Sequence, residues 1–338
     1  MGARVAIFGL QGLELTSDER AFFRESDPWG FILFARNVDT VKQIGRLTNT
    51  LRDCVGRDAP ILIDQEGGDV ARLKPPTWRK APPARLFGDL YLCDPDAGIE
   101  ATKINHRLLA QELRSVGVDV DCAPVLDLRV SGADVTIGDR AFGNTPEMIA
   151  KLGGAAMEGL TAGGVAPIIK HIPGHGRAEV DSHFELPRVD HEHEQLSRTD
   201  FAPFKALASA PMAMTAHIVY ADIDPDNPAT TSSDMIDKVI RSEIGFSGLL
   251  MTDDLSMQAL SGSLRERAEQ SLAAGCDVVL HCNSDSKEMQ QIAESTPELA
   301  GRARERAENA DKARSRIDEF DAKQAQSRLD YLLERVIV

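Results

Sequence analysis

Residues 167–187 read PIIKHIPGHGRAEVDSHFELP. A short apolar run, Pro167–Ile169, leaves through Lys170 and His171 into a loop punctuated by Pro173, Gly174 and Gly176. The loop returns with Asp181, Ser182 and His183 and stops at Pro187. The run matches a fully buried strand, and the loop is too polar and too rich in Gly and Pro for a core. A cation, two imidazoles and a carboxylate carried on a loop behind a rigid strand are the usual arrangement of catalytic groups.

The same signature recurs along the chain. Apolar runs are expected as strands at Val5–Phe8, Gly30–Phe34, Pro60–Asp64, Asp119–Ala123, Ala166–Lys170, Met212–Thr215, Gly248–Thr252 and Val278–His281. Most lack polar alternation, as parallel strands covered on both faces do. Between them the spacing predicts helices at Val41–Cys54, Gly98–Val116, Pro146–Thr161, His193–Ser209, Ser233–Ile244, Ser263–Ala274 and Lys287–Ser295. Gly117, Gly163 and Gly275 close three of them. Eight strands alternating with helices give an α/β fold of the (β/α)8 TIM-type barrel, with a doubly wound open sheet as the alternative. Residues 1–296 form the barrel of a single domain. Residues 297–338 show no strand signal and are expected as C-terminal helices packed outside it.

Composition narrows the function classes. The chain has 338 residues, 42% hydrophobic, and a formal net charge of -15. No basic field exists to attract nucleic acid or an anionic membrane surface, though a local Arg/Lys pocket for an acidic small molecule is compatible with it. The five cysteines (Cys54, Cys93, Cys122, Cys276, Cys282) form no CxxC pair, and Cys122, Cys276 and Cys282 sit in apolar surroundings as small core residues would. Disulfide staples are not expected, and a cytoplasmic location fits. MGARVAIFGLQG is too short in apolar residues for a signal-peptide core, it lacks the Ser/Thr of a myristoylation motif, and no run approaches a membrane span.

Polar residues collect where the strands end: Asp64, Asp127, Lys170 and His171, His217, Asp253 and Asp254, His281 and Asn283. In a barrel all of these ends open on one face, where active sites are built. Asp253 comes directly after an apolar strand and reads as nucleophile, general base or metal ligand; as a structural residue it would be a helix N-cap, and two adjacent aspartates allow one to face a pocket while the other caps. Asp181 and His183, two apart in an extended loop, point the same way, and a carboxylate beside an imidazole prepares it for acid/base work. His171, His175, His183 and Asp181 match no standard zinc spacing and Lys170 opposes a cation, so no metal is expected. EGG and GHG are not phosphate loops; Gly67-Gly68 reads as a close backbone approach to a ligand. Arg72 and Arg140, taken alone, read as surface ion pairs. No cofactor is indicated.

KHIPGHGRAEVDSH (170–183), with IDQEGG, APVLDL, TAHIVYADIDP and GFSGLLMTDDLSM in the same order, resembles the motifs of the family 3 glycoside hydrolases, in particular the NagZ-type β-N-acetylhexosaminidases. The resemblance runs from Gly30 to about Asn283. It implies a barrel that removes terminal β-linked N-acetylglucosamine with retention, through a covalent glycosyl-enzyme. Motif for motif, Asp253 would be the nucleophile, His183 the acid/base and Asp181 its partner. Asp64, Arg72, Arg140, Lys170 and His171 align with positions that bind the sugar's hydroxyl and acetamido groups. By the same resemblance the substrate is a GlcNAc-containing 1,6-anhydro-muropeptide from bacterial cell-wall recycling, and a monomer is expected.

Retaining hydrolysis needs one group to attack the anomeric carbon and one to protonate the leaving oxygen and later activate water. A histidine, with an unperturbed pKa near 6.5, suits the second role. Two positions depart from the family pattern: Ile172 stands where Phe is common and Asp69 where a basic residue is frequent, and neither is a proposed catalytic position. A phosphorylase using the same intermediate is the nearest rival reading, and a non-catalytic sugar-binding barrel is a rival of another class.

Overall fold

The computed structural model describes residues 2–130, 137–182, 184–315 and 317–336. Its ten strands, in chain order, are β1 (Arg4–Phe8), β2 (Pro28–Leu33), β3 (Ile61–Ile63), β4 (Val120–Asp121), β5 (Ala166–Ile172), β6 (Arg188–Val189), β7 (Met212–Thr215), β8 (Val219–Tyr220), β9 (Leu249–Asp254) and β10 (Val278–His281). Eight of them close into a parallel barrel in the order β1-β10-β9-β7-β5-β4-β3-β2. Closure excludes the open-sheet alternative, because β1 pairs with both β2 and β10. The short strands β6 and β8 form a separate parallel pair.

The strands are continuously apolar because each has two faces to bury. Successive side chains point to opposite sides of a strand. Val5, Ile7, Leu62, Ile168, Met212, Met214, Leu249, Met251, Val278 and Leu280 belong to one buried cluster, the barrel interior. Their neighbours Ala6, Phe8, Ile61, Ile63 and Val279 pack instead with Ile44, Leu47 and Leu51 of the helix Val41–Val55. Ile169, Ala213 and Leu250 do the same in the cluster that holds Leu152, Phe204 and Ile240.

The helices end where local chemistry ends them. Thr40 accepts from the Gln43 amide at the start of Val41–Val55, and Gly56 closes it with φ 67°. Ser263 and Glu266 form a capping box on Leu264–Ala274. The helix expected over 193–209 is two pieces, His193–Arg198 and Ala202–Ala206. Pro203 stands in the first turn of the second piece, where a missing amide is tolerated, and it has no amide to give the Thr199 carbonyl that a continuous helix would need. The segment Met235–Glu243 is π-helical. Apolar spacing does not predict two further helices, Ser17–Ser26 and Ala84–Cys93.

Both C-terminal helices sit outside the barrel. Gly301–Lys312 lies across its N-terminal mouth, placing Ala307 and Ala310 in the interior cluster. Ala322–Leu333 packs on Pro95–Ser115. Among the described residues no helix is long and apolar enough to cross a membrane.

Candidate active site

Strand parity places the site. Asp64 lies two beyond Leu62, Lys170 two beyond Ile168, Asp253 two beyond Met251 and Cys282 two beyond Leu280, so each inherits the inward direction one step above the apolar interior. All four line one pocket at the C-terminal mouth, together with Glu66, Arg72, Arg140, His171, His175 and Ser182. Lys170 and His171 are consecutive yet both line it; the β5–β7 register shifts between Lys170 and Ile172, and the Lys170–His171 peptide is cis.

Parity also separates the two aspartates of TDD. Asp253 faces the pocket, while the Asp254 carboxylate accepts from the Ser256 amide (3.1 Å) and hydroxyl (2.6 Å) and from the Cys282 amide (3.1 Å). Asp254 therefore organises the turn after β9.

An alternating chain of charges crosses the pocket floor. Arg72 Nη2 donates to Asp64 Oδ2 (3.0 Å), and Lys170 Nζ donates to Asp64 Oδ1 (2.9 Å). Lys170 Nζ also lies 2.7 Å from Glu66 Oε1, and Arg140 grips Glu66 with two bonds of 2.8 and 2.9 Å. Among the described residues three cations share two carboxylates in this network, an excess of one positive charge. Burial alone would raise the Asp64 and Glu66 carboxyls, but Lys170 with Arg72 and Arg140 overrides it and holds both below the usual carboxylate range. Burial would likewise lower Lys170, and Asp64 and Glu66 reverse the sign and keep it protonated.

Asp127 supports the second side. Its Oδ2 takes the Nδ1 proton of His171 (2.7 Å), and its Oδ1 accepts from the His171 and His175 amides (3.2 and 2.7 Å). An ionised carboxylate only accepts, so it makes Nδ1 the donor of His171 and frees Nε2 for the pocket. Against the upward push of burial, His171 holds the Asp127 carboxyl down to about 2.

Asp253 is half-buried at this mouth, as Asp64 is. Its Oδ1 accepts from the Asp254 amide (2.8 Å). Burial would raise it, yet His171, then His217 and that amide, lower it below the usual carboxylate range. An anion stabilised mainly by through-space charge, with few hydrogen bonds of its own, is suited to attack or to stabilise a cation.

Six of the expected site residues, Asp64, Arg72, Arg140, Lys170, His171 and Asp253, meet in the pocket. Arg72 and Arg140, read alone as surface ion pairs, are only partly exposed and belong to the floor network. Asp181 is half-buried on the loop, with its carbonyl accepting from the Phe184 and Glu185 amides. His183 lies outside the described residues. Two other strand-end histidines turn away: His217 bonds Thr230 Oγ1 (2.7 Å) and the Asp254 carbonyl (3.1 Å), and His281 is fully buried.

Two expectations are corrected. A Cβ on Gly67 would lie 2.3 Å from the Pro82 carbonyl, so the close approach at Gly67-Gly68 is to a neighbouring loop, not to a ligand. Cys282 is a pocket-wall residue rather than core. Glu66, Asp127 and His175 carry more of the site than their motifs alone indicate; Glu66 stands inside IDQEGG and Asp127 inside APVLDL.

Comparison with known proteins places this geometry. Residues 11–318 match the family model for the glycosyl hydrolase family 3 N terminal domain. A beta-hexosaminidase of Alkalilimnicola ehrlichii is 40% identical over 284 residues, 82% of this chain and 80% of that one. A beta-hexosaminidase of Nitrosomonas eutropha is 38% identical over 278 residues, 81% and 79% of the two chains. The crystal structure of NagZ from Neisseria gonorrhoeae, in complex with N-trifluoroacetyl-D-glucosamine, matches with a TM-score of 0.87 at 28% identity, covering 100% of this chain and 99% of that one.

Proposed function

The chain belongs to glycoside hydrolase family 3, and from that premise we propose that it removes terminal β-linked N-acetylglucosamine with retention, through a glycosyl-enzyme on Asp253. The observation that carries the reading is Asp253 itself: a carboxylate held ionised beside His171, at the pocket mouth, one step above the barrel interior. The names of the relatives and the sugar bound to the gonococcal structure support the substrate class.

Asp253 attacks the anomeric carbon, the C1–O bond breaks, and His183 passes a proton to the departing oxygen. Asp181 offsets the charge on the protonated ring. In the second half His183 takes a proton from water, whose oxygen attacks C1 and releases Asp253. Asp64, Arg72, Lys170, His171 and Arg140 hold the sugar's hydroxyl and acetamido groups, which orients C1 for in-line attack.

The physiological substrate in this reading is a GlcNAc-1,6-anhydro-muropeptide, cleaved in the cytoplasm during peptidoglycan recycling, by a monomer. The net positive floor suits an anionic aglycone. Water is the acceptor in this reading, and a phosphorylase that passes the same intermediate to phosphate is the rival that the test separates.

The test is release of p-nitrophenol from the β-GlcNAc and β-glucose aryl glycosides, by wild type and Asp253→Ala, with and without phosphate. Selective β-GlcNAc cleavage, lost in the variant and indifferent to phosphate, is expected. Equal cleavage of the glucoside would undo the acetamido assignment, and a phosphate-dependent sugar 1-phosphate would make the enzyme a phosphorylase.

A further inference from the structure

The loop after β5 is held unevenly. Its first half is pinned: Asp127 takes the His175 amide (2.7 Å), the Tyr220 hydroxyl donates to the Gly174 carbonyl (2.6 Å), and Arg177 Nε donates to Asp200 Oδ2 (2.6 Å). Gly176 sits so close that a Cβ there would lie 2.0 Å from the Leu128 carbonyl. Farther along, Glu179, Phe184 and Leu186 are exposed. Between those exposed residues Ser182 is buried, 3% exposed, and its neighbours in sequence are Asp181 and His183.

Ser182 touches the rest of the site at two points. Its hydroxyl lies 3.2 Å from His175 Nε2, and its carbonyl accepts from the Ala259 amide (3.3 Å), in the segment after Asp253 and Asp254. His175 and Ser182 both line the pocket. His175 is 5% exposed, and its other ring nitrogen, Nδ1, has no hydrogen-bond partner among the described residues. Among the described residues the ring's one side-chain hydrogen bond is to the loop, beside an edge contact with the His171 ring.

We infer that His175 is a positioning residue for the reaction proposed above: through the Nε2–Ser182 Oγ bond it holds Ser182, the residue that joins Asp181 to His183 in the chain, without itself touching the sugar. The inference rests on that reading of Asp181 and His183. Burial, with the neighbouring His171, lowers the His175 pKa to about 4, so the ring is neutral and the bond is an uncharged one. Neutral hydrogen bonds contribute modestly and exchange readily, which suits a contact that positions a proton donor rather than one that holds the fold.

The experiment measures kcat/KM, which reports the steps up to bond cleavage, for two aryl β-GlcNAc glycosides. One carries a poor leaving group, p-methoxyphenol, which needs protonation; the other carries 2,4-dinitrophenol, which does not. Ser182→Ala and His175→Ala are expected to lose about tenfold on the poor leaving group and less than about twofold on the activated one, the size of one neutral hydrogen bond acting on proton transfer. Inhibition by free N-acetylglucosamine should stay within about twofold of wild type, and the double variant should lose no more than the worse single one. Equal losses on both glycosides, losses that multiply in the double variant, or an unaffected Ser182→Ala would overturn the inference alone. A wild type that cleaves neither glycoside would overturn the activity reading and this inference with it.

Discussion

The two ends of the barrel use the same materials differently. At the N-terminal end, buried Asp277 accepts from Arg241 Nη2 (2.8 Å), Arg306 Nη1 (2.8 Å) and the Leu250 amide (2.9 Å). Buried Asp119 accepts from Arg52 Nη2 (2.8 Å), from Arg314 and from the Ile61 amide (2.8 Å). Each carboxylate is satisfied on both oxygens and ties strands to the C-terminal segment. At the other mouth, Asp253 lines the pocket with a single amide donor among the described residues. A closed network stabilises; an under-satisfied one is held ready for a ligand to complete it. Barrels divide their labour between the two faces in this way.

The sharpest break of that comparison is a pair of substitutions. Asp253→Ala is expected to lower kcat/KM on aryl β-GlcNAc by on the order of 10⁴-fold with little change in melting temperature. Asp277→Ala leaves Arg241 and Arg306 with an uncompensated site and is expected to cost about 3–5 kcal/mol of stability, while the folded fraction keeps its turnover. Thermal denaturation beside steady-state kinetics reads both. The comparison fails if the two phenotypes are exchanged.

A smaller effect is expected at Glu66, which belongs to the upper mouth yet is satisfied like a lower one. Glu66→Gln removes the charge that Lys170 and Arg140 share. KM for aryl β-GlcNAc should rise about tenfold with kcat changed less, since both cations are assigned to ground-state binding. A loss confined to kcat would move Glu66 into the bond-breaking step.

The smallest concerns pH. Burial raises the Asp121 carboxyl to about 7, against an ordinary value of 3.8. Between those values the folded chain holds a proton that the unfolded chain has released, so this group lowers stability progressively as pH rises from about 4 to about 7. Asp64 and Glu66 have the opposite sign: their depressed carboxyls contribute stability above the ordinary carboxylate range and lose it in acid. Asp121→Asn keeps an acceptor for the Gln65 amide and should raise the melting temperature at pH 8 but not at pH 4. An unchanged difference between the two pH values would contradict the assignment.

Much of the fold is legible in the sequence because the signal is redundant. Eight apolar runs with polar exits need no exact boundaries to imply a parallel barrel, and Asp64, Lys170 and Asp253 stand at those exits. Period 2 also separates Asp253 from Asp254, through the inward Met251, although that requires knowing which strand face is inside. The helix Ser17–Ser26 lacks a strong apolar stripe, yet TSDE at 16–19 is a capping box that marks its start. Over 193–209 the helical spacing misleads, because Pro203 outweighs it. Glu66, Asp127 and Asp121 are not readable as partners, because which buried charges meet depends on strands distant in sequence. His217 and His281 show the converse: a polar residue at a strand end points outward as often as inward.

The measurement closest to the central claim is capture of the intermediate. A 5-fluoro analogue of N-acetylglucosaminyl fluoride slows both steps, and a good leaving group lets the glycosyl-enzyme accumulate. Intact mass spectrometry should show one sugar added per chain, and peptide mapping should place it on Asp253 in GFSGLLMTDDLSM. An active enzyme that forms no adduct, or carries it on another residue, would contradict the account.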